Sequence, residues 1–432
     1  MCTFVHNLRP NIKFKTSMKN LRSIALALAL AVAAPLVQAQ LVGTFDDGKC
    51  DDCSRCSKQC AMKQGEVVVG AARTDLYVPK LKGKRVALLS NQTGMVGDKH
   101  VLDIMLEQGV NVVAIFSPEH GFRGKADAGE HVSSSVDEAT GIPIFSLYGG
   151  GNPMSKKENM DLFDIIVIDI QDVGLRFYTY YVTMINAMDA AITHGKEFMV
   201  LDRPNPNGMY VDGPILDMSL KSGVGRLPIT TVHGLTLGEI ALMAMGEGWL
   251  KDGKQLPLTV VPCDNYTRST RYRLPIAPSP NLPNMLSVYL YPSICYFEGT
   301  PVSLGRGTDW PFQVYGHPEM KNHSFSFTPT SRFGAKNPPQ LGNLCYGTDL
   351  HNMSEEDVIA RGLDLTYVID AYRSTSLGEK FFNAFFDKLM GRTDIKQMIM
   401  DGKSAEEIKA TWADDVARFK QQRAPYLIYP EF

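Results

Sequence analysis

Between residues 84 and 201 the chain carries five short, almost uninterrupted apolar runs, each closed by polar or turn-forming residues. They are Lys84–Ser90, Val110–Phe116, Ile142–Tyr148, Ile165–Ile170 and Phe198–Leu201. A strand with one wet face alternates apolar and polar residues; runs without alternation fit strands buried on both faces, as in a parallel sheet between helices. Helix candidates lie between them at Lys99–Gln108 and Tyr181–His194. In the second, Val182, Ile185, Met188, Ala191 and Ile192 fall at helical spacing and Gly195 supplies the stop. Leu237–Leu250 predicts another helix and Leu256–Val261 another strand. This alternation predicts an α/β fold, a doubly wound parallel-sheet domain over residues 74–262.

After Pro262 the texture changes. Four prolines fall within residues 275–283, and Gly, Pro and aromatic residues dominate to about 345. Single helices are expected at Glu355–Tyr372, Gly378–Leu389 and Ser404–Gln422. A second, smaller α+β domain is therefore expected over 263–432.

The first 39 residues read as an address. Lys19 and Arg22 form a basic region, Ile24–Leu36 is apolar, and Val37-Gln38-Ala39 offers a small-residue cleavage site. The apolar run is too short for a good membrane span. The expectation is an exported chain, periplasmic or secreted, with no membrane insertion after cleavage. Loss of five basic and no acidic residues would leave 39 Lys and Arg against 46 Asp and Glu. That mildly acidic balance, without a basic run, excludes an electrostatic footprint for nucleic acid.

Residues 40–73 form a linker in which Cys50, Cys53, Cys56 and Cys60 read C-x2-C-x2-C-x3-C. That is the spacing of an iron–sulfur ligand run, but Ala61 replaces the usual proline. Disulfides or free thiols suit an exported chain better, and structural zinc is the alternative. Cys263, Cys295 and Cys345 are scattered and read as buried.

Polar residues collect where the expected strands end, which is where open parallel sheets bind ligands. The successive ends carry Ser90–Gly94 with Asn91; Ser117–Gly121 with Glu119 and His120; Asp169, Gln171, Asp172 and Arg176; and Asp202-Arg203-Pro204-Asn205. A carboxyl group beside a histidine at a buried strand end can acquire a shifted proton affinity, which makes Glu119 the first candidate for a general acid or base. Glu130, Asp172 and Asp202 are candidates for a second carboxylate, as glycoside hydrolysis commonly requires. Asn91, Asp172 and Asp202 could equally cap helices. Tyr178 and Trp310 offer the flat, polar-edged surface that a sugar ring needs, whereas Tyr181 fits a buried helix face. Arg176 and Arg306 could clamp a carboxylate, or pair internally. No dinucleotide, P-loop, zinc-protease or nucleophile-elbow motif accompanies these residues, so neither cofactor nor metal is expected.

The segments SNQTG (90–94), FSPEHGFRG (116–124), DIQDVGLRFYTY (169–180), VLDRPNP (200–206) and EGTPVSLGRGTDWPFQ (298–313) resemble the NamZ family of exo-β-N-acetylmuramidases. The resemblance runs from about Thr74 to the C-terminus and leaves out the cysteine segment. It implies a Rossmann-like catalytic domain, a smaller C-terminal domain completing the cleft, and hydrolysis of non-reducing terminal N-acetylmuramic acid (MurNAc) from peptidoglycan-derived glycan fragments. It makes Glu119 the favoured catalytic residue. His120, Gln171, Arg176 and Tyr178 would line the sugar site, with Asn91, Asp202 and Arg203 at neighbouring strand ends. Glu298, Arg306 and Trp310 would close it. An exported sugar-binding protein without catalysis is the rival reading.

Overall fold

A computed structural model describes residues 39–41 (backbone only), 65–118, 122, 135–147 and 152–431. Residues 1–38 of the address segment, the four-cysteine run, Glu119, His120 and Glu130 lie outside the described residues.

In chain order the strands are β1 (Ala39–Leu41), β2 (Arg85–Ser90), the ribbon β3 and β4 (Met95–Val96, Lys99–His100), β5 (Asn111–Ser117), β6 (Ser135–Val136), β7 (Pro143–Ser146), β8 (Ile165–Asp169), β9 (Glu197–Leu201) and β10 (Leu258–Val261). Three more follow: β11 (Val314–His317), β12 (Phe325–Phe327) and β13 (Cys345–Asp349). The large sheet has the order β1-β10-β9-β8-β2-β5-β7-β6. Every pairing in it is parallel except that of β6 with β7. From β2 the chain steps outward through β5 and β7, then returns beside β2 and steps the other way through β8, β9 and β10. This is the doubly wound arrangement that the apolar runs predict.

The runs are continuous because both sheet faces are covered. Val86, Leu88, Ile165, Val167, Met199 and Leu201 join a core with Tyr77 and Leu81 of helix Thr74–Leu81 and Leu102 and Met105 of helix Val101–Glu107. The intervening Ala87, Leu89, Ile166, Ile168, Phe198 and Val200 are as fully buried. Helices Tyr180–His194 and Leu237–Gly246 pack on each other and on β9. Gly195 ends the former in the left-handed conformation, as its sequence position predicts. The smaller sheet, β11-β13-β12, is antiparallel and leads into helices that run to the C-terminus.

Three expected helices are each divided. Glu355–Arg361 and Thr366–Arg373 are separated by Gly362 at φ 62°. Gly378–Phe381 is a 3-10 turn before helix Ala384–Met390. Ala405–Ala410 and Ala413–Arg423 flank Trp412, which is buried and donates Nε1–H to Asp212 Oδ1 at 3.0 Å. Helical periodicity cannot reveal such breaks, because the partner that anchors Trp412 is 200 residues away. Lys99 and His100, expected in a helix, form β4 instead. Cys263, Cys295 and Cys345 are buried free thiols.

Candidate active site

The strand order reverses between β2 and β8, and loops leaving two such strands diverge to open a crevice at their carboxyl ends. Ser90 pairs with Asp169 in register there, and its hydroxyl donates to Asp169 O at 2.7 Å. The next residues knit the two ends together. Asn91 Oδ1 accepts from Thr93 N at 3.0 Å and Thr93 Oγ1 at 2.6 Å. Thr93 Oγ1 accepts from Gln171 N at 3.0 Å. Gln171 Nε2 donates to Asp172 O and to Pro204 O, both at 2.8 Å, which draws in the loop after β9.

Asp172 is buried in this knot. Its Oδ1 accepts from Gly174 N at 2.7 Å, while its Oδ2 and Gln171 Oε1 are buried without a hydrogen-bond partner. Gly174 adopts φ 82°, and a Cβ there would meet the Asn205 amide at 2.1 Å, so this turn admits only glycine. Burial pushes the Asp172 carboxyl up to about 7, against the backbone amides of Gly174, Tyr181 and Val173, which favour its charged form. Near neutral pH such a group can hold or release a proton, as an acid–base catalyst must.

An aromatic wall continues from the strand ends. Asn91 Nδ2 donates to Tyr180 OH at 2.9 Å, and the Tyr180 and Tyr178 hydroxyls donate to Pro278 O at 3.3 and 3.0 Å. Tyr178 meets Tyr180 edge-on at 4.8 Å and Tyr291 at 6.1 Å, and Tyr291 meets Phe312 at 4.9 Å. The Arg306 guanidinium lies 5.1 Å above the Phe312 ring and pairs with Glu298 at 2.6 Å. Trp310, partly exposed, stacks on His351 at 4.8 Å with the rings 20° apart. Among the described residues no group of three His, Cys, Asp or Glu side chains is placed to hold a metal ion.

The structure thus brings together Asn91, Gln171, Asp172 and Tyr178, with Glu298 and Arg306 at the far end of the aromatic path. Three expected ligand residues are corrected. Arg176 is fully buried, and its guanidinium donates to Pro214 O, Ile229 O, Leu389 O and Met390 O at 2.7 to 3.0 Å, leaving no face for a substrate. Asp202 is equally buried and accepts from Thr236 Oγ1 at 2.6 Å, Gly238 N at 2.9 Å and Tyr429 OH at 2.6 Å. It caps helix Leu237–Gly246 and docks the C-terminal tail. Arg203 is held in a buried bidentate pair by Asp169 and donates to Met95 O at 3.0 Å. Arg306 is committed to Glu298, the internal pairing that stood as its alternative.

Pro278–Asn281 and Tyr291 also belong to this wall, although no local motif marks them. The only signal was the proline-rich composition of 275–283: an extended segment leaves carbonyls such as that of Pro278 free to accept.

Sequence models of the two domains of "Exo-beta-N-acetylmuramidase NamZ" match residues 86–286 (N-terminal) and 289–429 (C-terminal). The chain belongs to the NamZ family. It is a glycoside hydrolase. The two NamZ matches meet within helix Met285–Ile294. The peptidoglycan beta-N-acetylmuramidase NamZ of Bacillus subtilis (strain 168) is 38% identical over 383 residues, covering 82% of this chain and 89% of that protein. A crystal structure of a DUF1343 family protein from Bacteroides fragilis NCTC 9343 is 57% identical, with a TM-score of 0.80, covering 85% of this chain and 99% of that one. A second DUF1343 structure from the same organism is 27% identical, with a TM-score of 0.71, covering 84% and 99%.

Proposed function

We propose that this NamZ-family hydrolase removes N-acetylmuramic acid from the non-reducing ends of peptidoglycan-derived β-1,4 MurNAc–GlcNAc glycans. We further propose that it acts outside the cytoplasm after removal of residues 1–39. The observation that carries the reading is the buried, half-satisfied Asp172 carboxyl at the reversal point of the sheet, in a chain whose relative acts on peptidoglycan.

Cleavage of a glycosidic bond needs a proton for the leaving oxygen and an electron-rich group to stabilise or attack the anomeric carbon. Glu119, two residues beyond the end of β5, is the proposed first carboxyl group. Asp172, able to keep a proton near neutral pH, supports the reading as the second. Gln171, whose Oε1 has no hydrogen-bond partner, would meet the sugar. Asn91 and Tyr178 would hold the wall of the site through Thr93, Tyr180 and Pro278, and the Trp310 face turned away from His351 would cover the sugar.

Purified, peptide-free glycan strands incubated with the chain from Gln40 onward test this proposal. Release of a single MurNAc from each MurNAc-terminated strand, with GlcNAc newly exposed at the shortened end and no further cleavage, supports it. Internal cuts that yield oligosaccharides from the outset contradict the exo-acting mode.

A further inference from the structure

The loop between β12 and β13 exposes three large apolar side chains, Phe333 (64%), Leu341 (46%) and Leu344 (51%). Phe333 is the most exposed of them. It occupies the first central position of a turn closed by Ala335 N–H to Arg332 O at 3.0 Å and Arg332 N–H to Ala335 O at 3.1 Å. Gly334 takes the second position at φ 82°, the left-handed conformation that a type II turn requires there.

Both ends of this turn are fastened to the segments that carry the candidate site. Asn281 Nδ2 donates to Gly334 O at 2.7 Å, and a Cβ on Gly334 would strike Pro280 at 2.8 Å. Pro280 and Asn281 continue the segment whose Pro278 carbonyl receives Tyr178 and Tyr180. On the other side Arg332 pairs with Asp309, next to Trp310, and Thr330 N donates to Gly307 O at 2.9 Å. The turn therefore bridges Pro278–Asn281 and Gly305–Trp310. The turn holds a large exposed ring in a fixed place beside these two segments, and covering that ring with an apolar surface is favourable. A pyranose presents an apolar C–H face that matches an aromatic ring.

We infer that Phe333 is a stacking platform for the sugar on the leaving-group side of the scissile bond, a GlcNAc unit when the substrate is a MurNAc–GlcNAc glycan. The inference rests on the exo-muramidase reading. It makes Phe333 a determinant of specificity for the aglycone. The fixed turn limits the conformational freedom lost when the sugar binds. Because the side chain is mostly exposed, its replacement leaves folding essentially intact.

Phe333→Ala, Phe333→Trp and wild type are compared in two measurements. The first is kcat and KM on the MurNAc–GlcNAc disaccharide and on methyl β-N-acetylmuramide, whose leaving group is too small to stack. The second is the affinity for free GlcNAc followed by saturation-transfer NMR. The expected result is a KM for the disaccharide raised roughly fivefold in Phe333→Ala, with kcat and the methyl glycoside unchanged. GlcNAc binding falls in parallel, and Phe333→Trp restores both. Equal losses on both substrates, or unchanged KM and unchanged GlcNAc affinity, overturn the platform. A wild type that sediments as a dimer, with Phe333→Ala a monomer and unaltered in GlcNAc binding, assigns the ring to self-association instead. Failure of wild type to release MurNAc from either substrate counts against the exo-muramidase reading; GlcNAc binding that still depends on Phe333 would then retain the sugar platform.

Discussion

Asn91 and Tyr180 meet across the reversal point of the sheet, the amide of one donating to the phenol of the other at 2.9 Å. Asn91 follows β2, and Tyr180 opens the helix after β8. The Tyr180 hydroxyl passes the link on to Pro278 O, so one hydrogen-bonded line runs from the large sheet to the segment that carries the Phe333 turn. Tyr180→Phe removes the central atom of that line and leaves a buried amide short of an acceptor. Its expected cost is about 1–3 kcal/mol in urea unfolding, with a rise in KM. An unchanged midpoint would show that the line carries no load.

The Asp172 carboxyl titrates in an unusual range, and the direction of its effect on stability follows. Burial raises its folded-state pKa to about 7, from a reference value of 3.8. Its contribution is fully present below the unfolded value and is lost as pH rises through about 7, because the ionised form must then be kept buried. Relative to Asp172→Asn, wild type should lose stability between about pH 4 and pH 7, by up to roughly 4 kcal/mol. Paired unfolding curves across that interval check this; parallel stability profiles would place the carboxyl in a more solvated setting. If Asp172 also supplies a proton, the limb of kcat/KM near pH 7 disappears in the variant.

The buried Asp169–Arg203 pair predicts a large asymmetry. Asp169→Ala leaves a guanidinium without its counter-charge and should cost about 3–5 kcal/mol. Replacing both residues with apolar ones of similar size should cost far less than the sum of the single changes. A double-mutant cycle read by denaturant unfolding gives the coupling directly, and additive effects would contradict it.

Arg176 distinguishes a structural role from substrate binding. Arg176→Met strands four buried carbonyls that converge from the 214–229 and 389–390 segments. The expected outcome is a protein destabilised by more than about 3 kcal/mol whose folded fraction keeps the wild-type KM. A stable variant with a strongly raised KM would return Arg176 to the role of carboxylate clamp.

These corrections mark where the sequence could be read and where it could not. The central strands were legible because burial on both faces leaves a local trace, as in IIVID at 165–169, every residue of which is buried. The gathering of polar residues at strand ends was legible for the same reason. Which of them face a crevice was not. Asp202 is taken up by Tyr429, 227 positions later, and Arg176 by Met390, 214 positions later. Nothing local separates a side chain that holds a distant carbonyl from one that awaits a ligand. Asp172 differs in having a neighbour, Gly174, that engages one of its oxygens, while the other is buried without a hydrogen-bond partner.

The most direct measurement of the central claim uses two chromogenic substrates, a β-N-acetylmuramide and the matching β-N-acetylglucosaminide. Wild type from Gln40 onward is assayed beside Glu119→Gln and Asp172→Asn, each confirmed folded by circular dichroism. Release is expected from the muramide alone, with a fall of at least about a hundredfold in Glu119→Gln, the scale of a lost general acid or base. Release from the glucosaminide, or a Glu119→Gln enzyme as active as wild type, would contradict the claim.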